Sequence, residues 1–434
     1  MNIMRVFRIA DALVNGLPEP MGRALFNLVG TVAGTLPTAG TKQLRKNLAR
    51  IKKDVQPGQL RQLSRAGMRS YMRYYYEALH LRSWDAENIA ARVEERNLEE
   101  AREAFDSGDS LAAALMHMGN WDLAGAWSNQ NLAKVATLVE KLEPEELYRA
   151  FVDFREGIGM IIFPVIKGGG AIHKLAGVMR EEKVLAPVLA DRDLTASGIE
   201  VEFFGEKMLA AAGPAILAQE TGSLILPVYI YYRKAENRGA LPTRWRTVVE
   251  GGPLIYPQET SESGPVEKQR DIERMTQAWV DAFEPIIAAH PEDWHMLQKV
   301  FVADLDQDRY LANREKARAK LAARAAAHGT ATRRSGNSAE TSSISTHGIV
   351  SSNDTASTLD TTNSKNPSAG RARVERNRAE KADQQRSELN PEPGAEKTDL
   401  PGPANSSEST AGKNQEQSPE DTAGNRPGNS GGRP

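Results

Sequence analysis

The sequence of 434 residues contains no cysteine. This absence excludes disulfide bonds, thiolate metal sites and a cysteine nucleophile. Long apolar runs are also missing, because the longest apolar-rich stretch, residues 24–36, is interrupted by Asn27, Gly30, Thr31 and Gly34. It falls short of the roughly 20 residues that a membrane-spanning helix needs. Any membrane contact is therefore expected to be peripheral.

Aromatic residues are absent beyond Tyr310. From about residue 326 onward, Ser, Thr, Asn, Gly, Pro, Glu and Lys dominate the sequence. Such a composition cannot bury enough apolar surface to offset the entropy of ordering the chain. We therefore predict a disordered tail over residues 326–434 and a folded part that ends near residue 315.

The formal net charge is only −2, but basic residues are concentrated in the first 80 residues. There they alternate with apolar residues in helix-prone sequence, at Lys42, Arg45, Lys46, Arg50, Lys52, Lys53, Arg61, Arg65, Arg69 and Arg73. This pattern suits an anionic membrane surface, and a solvated helix face is the alternative. A pI of about 6.4 and the lack of a recognisable binding module predict no nucleic acid partner.

Two patterns of hydrophobicity divide the folded part. Apolar residues at helical spacing predict helices throughout residues 1–105, which we interpret as a membrane-interface region. From Ser110 onward, short apolar runs alternate with helix-length segments. Predicted strands lie at 111–116, 135–139, 160–165, 184–190, 199–204, 224–232 and 245–250. This alternation predicts an α/β core over residues 106–315, with a mixed, mostly parallel sheet flanked by helices.

His117 is distinctive among the seven histidines. It follows a predicted strand, and a Gly-Asn turn leads from it into a helix, which is where open α/β sheets bind ligands. Asn120 can cap that helix, leaving Asp122 in its first turn. A carboxylate that fixes the tautomer of a histidine makes it an effective general base. A core histidine with a capping aspartate is the alternative interpretation.

A covalent acyl-enzyme is not indicated, because the sequence has neither cysteine nor a G-x-S-x-G nucleophile motif. A His–Asp pair is sufficient when the donor is already activated, as a thioester is, and the acceptor is a hydroxyl.

Several segments together resemble the lysophospholipid acyltransferase superfamily. They are HMGNWD at 117–122, FREGIGM at 154–160, three glycines at 168–170, ADRDLTASGIEVEFFGE at 190–206, AAGPAILA at 211–218 and PEDWHMLQ at 291–298. Within the superfamily, residues 5–305 are similar to the bacterial lipid A acyltransferases, and most of all to the phosphatidylinositol mannoside acyltransferases. The resemblance implies fatty acyl transfer from acyl-CoA to a mannose hydroxyl, at the cytoplasmic face of the plasma membrane, without cofactor or metal.

The resemblance also implies roles for individual residues. His117 matches the base of the family and Asp122 the acid that pairs with it. Glu140 matches a further acidic site residue, and Arg155 matches an arginine that could bind a phosphate. Asp191 falls where the most similar family has a carboxylate that is often Glu, and the resemblance implies that it is catalytic and orients His117 together with Asp122, although its side chain is one methylene shorter. A plain helix-face position is the alternative for Arg155.

Three other functions remain open from the sequence. The first is acyl transfer to a lipid A-type disaccharide. The second is a non-catalytic scaffold that binds membranes, and the third is hydrolysis of acyl-CoA with water as the acceptor. The segment PEDWH, which contains His295, is expected to be structural.

Overall fold

The computed structural model describes residues 3–141, 144–165, 170–193, 198–259 and 263–340. Among the described residues, five helices precede the first strand and a sixth follows it. They are α1 Ile3–Gly16, α2 Glu19–Thr35, α3 Ala39–Ile51, α4 Pro57–His80, α5 Ala86–Arg92 and α6 Glu99–Asp106. The later helices are α7 Trp121–Asn131, α8 Glu145–Gly157, α9 Ala171–Glu181, α10 Gly213–Thr221, α11 Pro265–Ala289 and α12 Gln307–Glu340.

Within the described ranges the strands form one large sheet and a separate hairpin. They are β1 Val93–Arg96, β2 Leu111–Leu115, β3 Lys134–Glu140, β4 Ile161–Val165, β5 Val184–Leu189, β6 Ile199–Phe203, β7 Glu206–Ala210, β8 Leu224–Lys234 and β9 Trp245–Gly251. The large sheet has the order β1-β9-β8-β2-β5-β3-β4, and β8–β9 is its antiparallel pair. The mixed, mostly parallel α/β sheet predicted from the sequence is confirmed.

Strand β2 lies in the middle of the sheet and is buried along its whole length. Ala112 and Ala114 contribute to a core that contains residues of α9, α10 and α11, whereas the alternate residues contribute to a core that contains residues of α5, α6 and α7. Because both faces of a parallel strand are covered, its sequence is continuously apolar rather than alternating. The small alanines let the helices approach the sheet closely on each side.

The N-terminal helices pack on one another at very short range. A Cβ atom on Gly30 of α2 would lie 2.6 Å from the carbonyl oxygen of Met68 in α4, and one on Gly34 would lie 2.7 Å from the Cα of Arg65. Two glycines one helical turn apart therefore let α2 rest directly on the backbone of α4. None of the helices in the described ranges combines the length and apolarity needed to cross a bilayer.

Two predicted boundaries differ from those of the secondary-structure elements. Strand β1 lies inside the region predicted to be entirely helical, and it pairs with β9, so the sheet begins before residue 106. Its sequence, VEER, lacks an apolar run because it forms the edge of the sheet. Helix α12 continues to Glu340, past the predicted start of the disordered tail, and its alanine-, arginine- and lysine-rich sequence has high helix propensity. Residues 341–434 of the predicted tail lie outside the described residues.

Candidate active site

The centre of the site is formed where two neighbouring parallel strands end. His117 follows β2 and Asp191 follows β5, and these strands pair directly. The Nδ1 atom of His117 lies 2.6 Å from Oδ1 of Asp191, and the backbone N–H of His117 donates to Oδ2 at 2.9 Å. The indole N–H of Trp294 donates to the same Oδ2 at 2.9 Å. One buried carboxylate thus holds the histidine by its ring and by its backbone.

Asp191 is fully buried. Burial alone would raise its pKa, but the charge of His117 and hydrogen bonds from His117 and Trp294 lower the pKa of Asp191 below its ordinary value. An ionised Asp191 places the proton of His117 on Nδ1 and leaves Nε2 free to accept one. The side chain of His117 is 26% exposed, so this base can be reached by a ligand.

Asp122 has different partners from those that the sequence predicted. Its Oδ1 accepts a hydrogen bond from Nε of Arg155 at 2.8 Å, and its Oδ2 accepts one from the hydroxyl of Tyr74 at 2.9 Å. The expected pairing of Asp122 with His117 is therefore not formed in the structure. The reason is that Asp122 lies in the first turn of α7 and contacts side chains of α4 and α8, whereas strand order brings Asp191 to the histidine.

Arg155 and Glu140 lie on two further elements of the site. Burial opposes the charge of Arg155, but the neighbouring Asp122 raises its pKa, so it remains a cation. Among the described residues its Nε is used by Asp122, and its two terminal nitrogens remain available. Glu140, at the end of β3, pairs with Arg192 at 3.0 Å and is 47% exposed.

These side chains share one cavity of about 990 Å³. His117, Asp122, Glu140 and Arg155 all line it, and Asp191 lies behind His117. The rest of the lining is mainly apolar and comes from α1, α2, α4, α8 and β3, including Leu13, Leu25, Phe26, Val29, Met72, Leu138, Phe151 and Phe154. The cavity therefore has a group of polar side chains around His117, its polar end, and a mainly apolar wall to which the N-terminal helices and the sheet both contribute. Within the described ranges, no group of His, Asp and Glu side chains is arranged to hold a metal ion.

The sequence pattern of the bacterial lipid A biosynthesis acyltransferase family matches residues 6–302. The chain belongs to this family. A phosphatidylinositol mannoside acyltransferase of Mycolicibacterium smegmatis is 36% identical over 297 residues, which cover 68% of this chain and 90% of the relative. The phosphatidylinositol mannoside acyltransferases of two Mycobacterium tuberculosis strains are 38% identical over 274 residues, 62% of this chain and 80% of each relative. The predicted family resemblance is thus confirmed.

In this member of the lipid A acyltransferase family, the sequence did not predict a buried carboxylate behind the turn that follows His117. Glu77 of α4 is 3% exposed and accepts hydrogen bonds from Arg23 at 2.7 Å, from Asn120 at 2.9 Å and from Tyr232 at 2.9 Å. Asn120 caps α7 as predicted, accepting from the N–H of Leu123 at 3.0 Å. Glu77 therefore orients the amide that starts the helix after His117, across 43 residues of sequence.

Trp294 and His295 were expected to be structural, yet both reach the site. Trp294 bonds to Asp191, and His295 lines the cavity. The distinctive PEDWH segment was the only sequence signal for them. Nothing in its spacing from His117 indicated contact.

Proposed function

We propose that this acyltransferase moves a fatty acyl chain from acyl-CoA to a mannose hydroxyl of a phosphatidylinositol mannoside. The observation that carries the proposal is a His117–Asp191 pair at the polar end of a large apolar cavity. The names of the relatives supply the acceptor, and a thioester donor suits a site with a base and no nucleophile. Neither a cofactor nor a metal is required by this chemistry.

The proposed reaction is a direct transfer. Nε2 of His117 removes the proton of the mannose hydroxyl, while Asp191 keeps the Nδ1 proton in place and stabilises the imidazolium. The hydroxyl oxygen forms a bond to the thioester carbonyl carbon, and the carbon–sulfur bond then breaks. The proton on His117 passes to the sulfur, which releases CoA. A positioned base of this kind contributes about 10²–10⁴-fold to the rate.

The shape and lining of the cavity suit the acyl chain. Ligand cavities are typically about 300–1,000 Å³ and mostly apolar, with a few polar groups that fix orientation. At about 990 Å³ this cavity is at the upper end of that range. Its apolar wall, which includes Phe26, Val29 and Leu138, can hold the chain while the thioester carbonyl lies beside His117.

The remaining predicted residues are assigned supporting roles. Arg155 would bind a phosphate of CoA or of the acceptor headgroup through its two terminal nitrogens. Asp122 would act as a positioning residue, because it fixes Arg155 and Tyr74. Glu140, paired with Arg192, would hydrogen bond to the sugar at the cavity rim.

We further propose peripheral binding to the cytoplasmic face of the plasma membrane. The outer side of α2 exposes Met21 and Leu28 at 59% each and Val32 at 50%, and Leu36, directly after the helix, is also 50% exposed. Isolated exposed apolar residues are ordinary, but a row of them along one helix is typical of an interaction surface. A two-chain acceptor lipid would be reached there, beside the apolar end of the cavity.

The test is a transfer assay with the purified full-length chain, acyl-CoA and a phosphatidylinositol mannoside in anionic vesicles. Thiol release and the mass of the acylated glycolipid are measured together. His117→Ala should lose about 10²–10⁴-fold in rate. The matched control, His173→Ala, changes a 67% exposed histidine and should retain full activity.

Other outcomes identify the alternatives. Thiol release that does not depend on the acceptor would indicate hydrolysis of acyl-CoA. If product forms only with a lipid A-type disaccharide, that disaccharide and not the mannoside is the acceptor. Vesicle binding without thiol release under any condition would indicate a scaffold and overturn the proposal.

A further inference from the structure

A guanidinium that has no ion-pair partner among the described residues lies at the sheet edge that carries His117. The Cζ atom of Arg73, in α4, is 3.6 Å from the ring centre of Trp245 and 4.6 Å from that of Tyr232. Both rings belong to the β8–β9 pair, in which Lys234 is directly opposite Trp245. Because β8 is parallel to β2, this end of the pair lies at the same edge of the sheet as His117.

The carboxylates nearest to Arg73 are bonded to other groups. Asp293 accepts hydrogen bonds from the hydroxyl of Ser70 at 2.5 Å and from the backbone N–H of Tyr232 at 2.8 Å. Glu77 is occupied by the three donors described above. Within the described ranges no group accepts a hydrogen bond from Arg73, and none of its three nitrogens is completely buried. The N–H groups of Arg73 can therefore be reached by a ligand.

A partly buried cation normally has an anionic partner. Burial lowers the pKa of Arg73, although the negative charges of Asp293 and Glu77 oppose this effect. An arginine nevertheless remains a cation at neutral pH. Buried charges in proteins are usually paired or bound to a ligand, and the planar fork of a guanidinium fits two oxygens of a phosphate. The unpaired fork of Arg73 therefore predicts a ligand with a phosphate group.

The surroundings of Trp245 add positive charge. The ammonium of Lys234 lies 5.0 Å from the centre of the same ring, and the side chain is exposed. Residues 233–246 carry four further basic residues and one acidic residue, which are Arg233, Arg238, Arg244, Arg246 and Glu236. In the part of the chain that the structure describes, Arg233 alone among these cations forms an ion pair, with Glu94. The end of the β8–β9 pair is thus a cationic surface around an indole ring.

The position of this surface favours a lipid phosphate over a soluble one. Arg73, Lys234 and Trp245 do not line the active-site cavity, so a ligand bound by them does not occupy the acyl site. Basic side chains around a partly exposed tryptophan are typical of surfaces that contact anionic headgroups. Helix α4 also joins this surface to α2, because a Cβ atom on Gly30 of α2 would lie 2.8 Å from the Cα of Arg69, one turn before Arg73.

We propose that Arg73, Lys234 and Trp245 form a binding site for the phosphate headgroup of an anionic phospholipid, outside the active-site cavity. The fork of Arg73 binds two phosphate oxygens, and Lys234 supplies a second positive charge. The indole of Trp245 holds the guanidinium in place. The inference rests on the proposed peripheral membrane binding and not on the chemistry at His117. It assigns the apolar part of the membrane contact to α2 and the selection of anionic lipid to the end of the β8–β9 pair.

Vesicle binding by the full-length chain tests the site. Flotation is measured with phosphatidylcholine vesicles that either contain or lack phosphatidylinositol. Lys234→Gln removes an exposed charge and should weaken binding to the anionic vesicles roughly fivefold. Arg73→Lys keeps the charge but loses the fork, and it should weaken binding by a similar factor. The matched control, Lys174→Gln, removes an exposed charge on α9 and should bind like the unaltered chain.

The fluorescence of Trp245 reports directly on the site. Its contribution is the difference between the spectra of the unaltered chain and of Trp245→Phe. We expect phosphatidylinositol vesicles to change this contribution, and Lys234→Gln to need roughly fivefold more lipid for the same change. Free CoA and inorganic phosphate, at equal ionic strength, should leave it unchanged.

The other outcomes overturn the proposal or separate it from the proposed function. A change caused by free CoA or inorganic phosphate that equals the change caused by vesicles would show a site for soluble phosphates. Equal vesicle binding by Lys234→Gln, Arg73→Lys and Lys174→Gln would show that no headgroup binds there. Site-dependent vesicle binding without acyl transfer would support the headgroup site and contradict the proposed function. Acyl transfer without site-dependent vesicle binding would do the reverse.

Discussion

The two ends of the cavity are built in different ways. At the sheet, polar side chains that follow the strands have specific partners, as Asp191 has in His117 and Trp294. Along α1 and α2, the wall is mainly apolar apart from Asp11, which pairs with Arg82, and the outer face of α2 is exposed, as at Leu28. In the proposed reaction, the specific hydrogen bonds lie where the proton would move, and the apolar surface lies where the acyl chain would bind. The two ends should respond differently to substitution.

The largest effect is expected from the two carboxylates of the polar end. Asp191→Asn removes the charge that stabilises the imidazolium of His117 and can favour the wrong tautomer, so kcat should fall about 10³–10⁴-fold. Asp122→Asn keeps an acceptor for Tyr74 and weakens the contact with Arg155, so its loss should be smaller and include a rise in KM. Equal losses in kcat would show that Asp122, and not Asp191, serves His117 during the reaction. Steady-state kinetics at neutral pH decide between them.

A smaller effect is expected at Glu77, which links α4 to Arg23 of α2 and to Asn120. Glu77→Gln removes one of the two carboxylate partners of the buried guanidinium of Arg23 and leaves the other, Glu19. Breaking a buried ion pair completely costs about 3–5 kcal/mol, and because Glu19 remains, the free energy of unfolding in urea should fall by less than that. Glu103→Gln, at an exposed position of α6, is the matched control and should be neutral. An unchanged urea midpoint for Glu77→Gln would mean that α2 is held to the core without this ion pair.

The pH dependence of stability tests the burial of Asp293. Its pKa of about 6 in the folded chain exceeds the unfolded value of about 3.9, so the folded state binds the proton more tightly. The resulting stabilisation is fully present below the unfolded pKa and is lost as the pH rises through 6. Relative to Asp293→Asn, the unaltered chain should therefore lose about 2 kcal/mol of unfolding free energy between pH 4 and 6. A constant difference across this window would show that Asp293 is not buried as a titrating acid.

The smallest effect concerns the apolar end. Leu28→Ser on α2 should weaken binding to anionic vesicles roughly tenfold and leave transfer to a soluble mannoside unchanged. Leu311→Ser, at an equally exposed position on α12, is the control. Flotation with neutral and anionic vesicles at two salt concentrations measures the binding, which should weaken with salt. Equal binding by both variants in all four conditions would show that α2 does not contribute to membrane binding.

The sequence predicted the buried strands well because a strand covered on both faces has a continuous apolar run. It failed at β1 and β7, VEER and EKMLA, where an edge position and a hairpin leave polar residues in the strand. His117 could be selected from local sequence, since the strand, the turn and the Asn120 cap are all adjacent to it. Its partner could not, because Asp191 lies 74 residues away and only the order of the strands makes β2 and β5 neighbours.

The same reasoning applies to the contacts behind the site. Glu77 reaches Tyr232 across 155 residues and Ser70 reaches Asp293 across 223. Such contacts depend on how α4 packs against the sheet and the PEDWH segment, which no local pattern encodes. The family resemblance located the residues of the site, but the assignment of a partner to each required three-dimensional structure.

The glycine contacts between α2 and α4 have a mechanical consequence. With no space for a side chain at Gly30 or Gly34, α2 cannot turn about its own axis without colliding with the backbone of α4. The packing of α2 on α4 therefore fixes the position of the exposed row, Met21, Leu28, Val32 and Leu36, relative to His117. If that row rests in a lipid surface, as proposed, the protein and not the lipid would set the depth at which an acceptor headgroup meets His117.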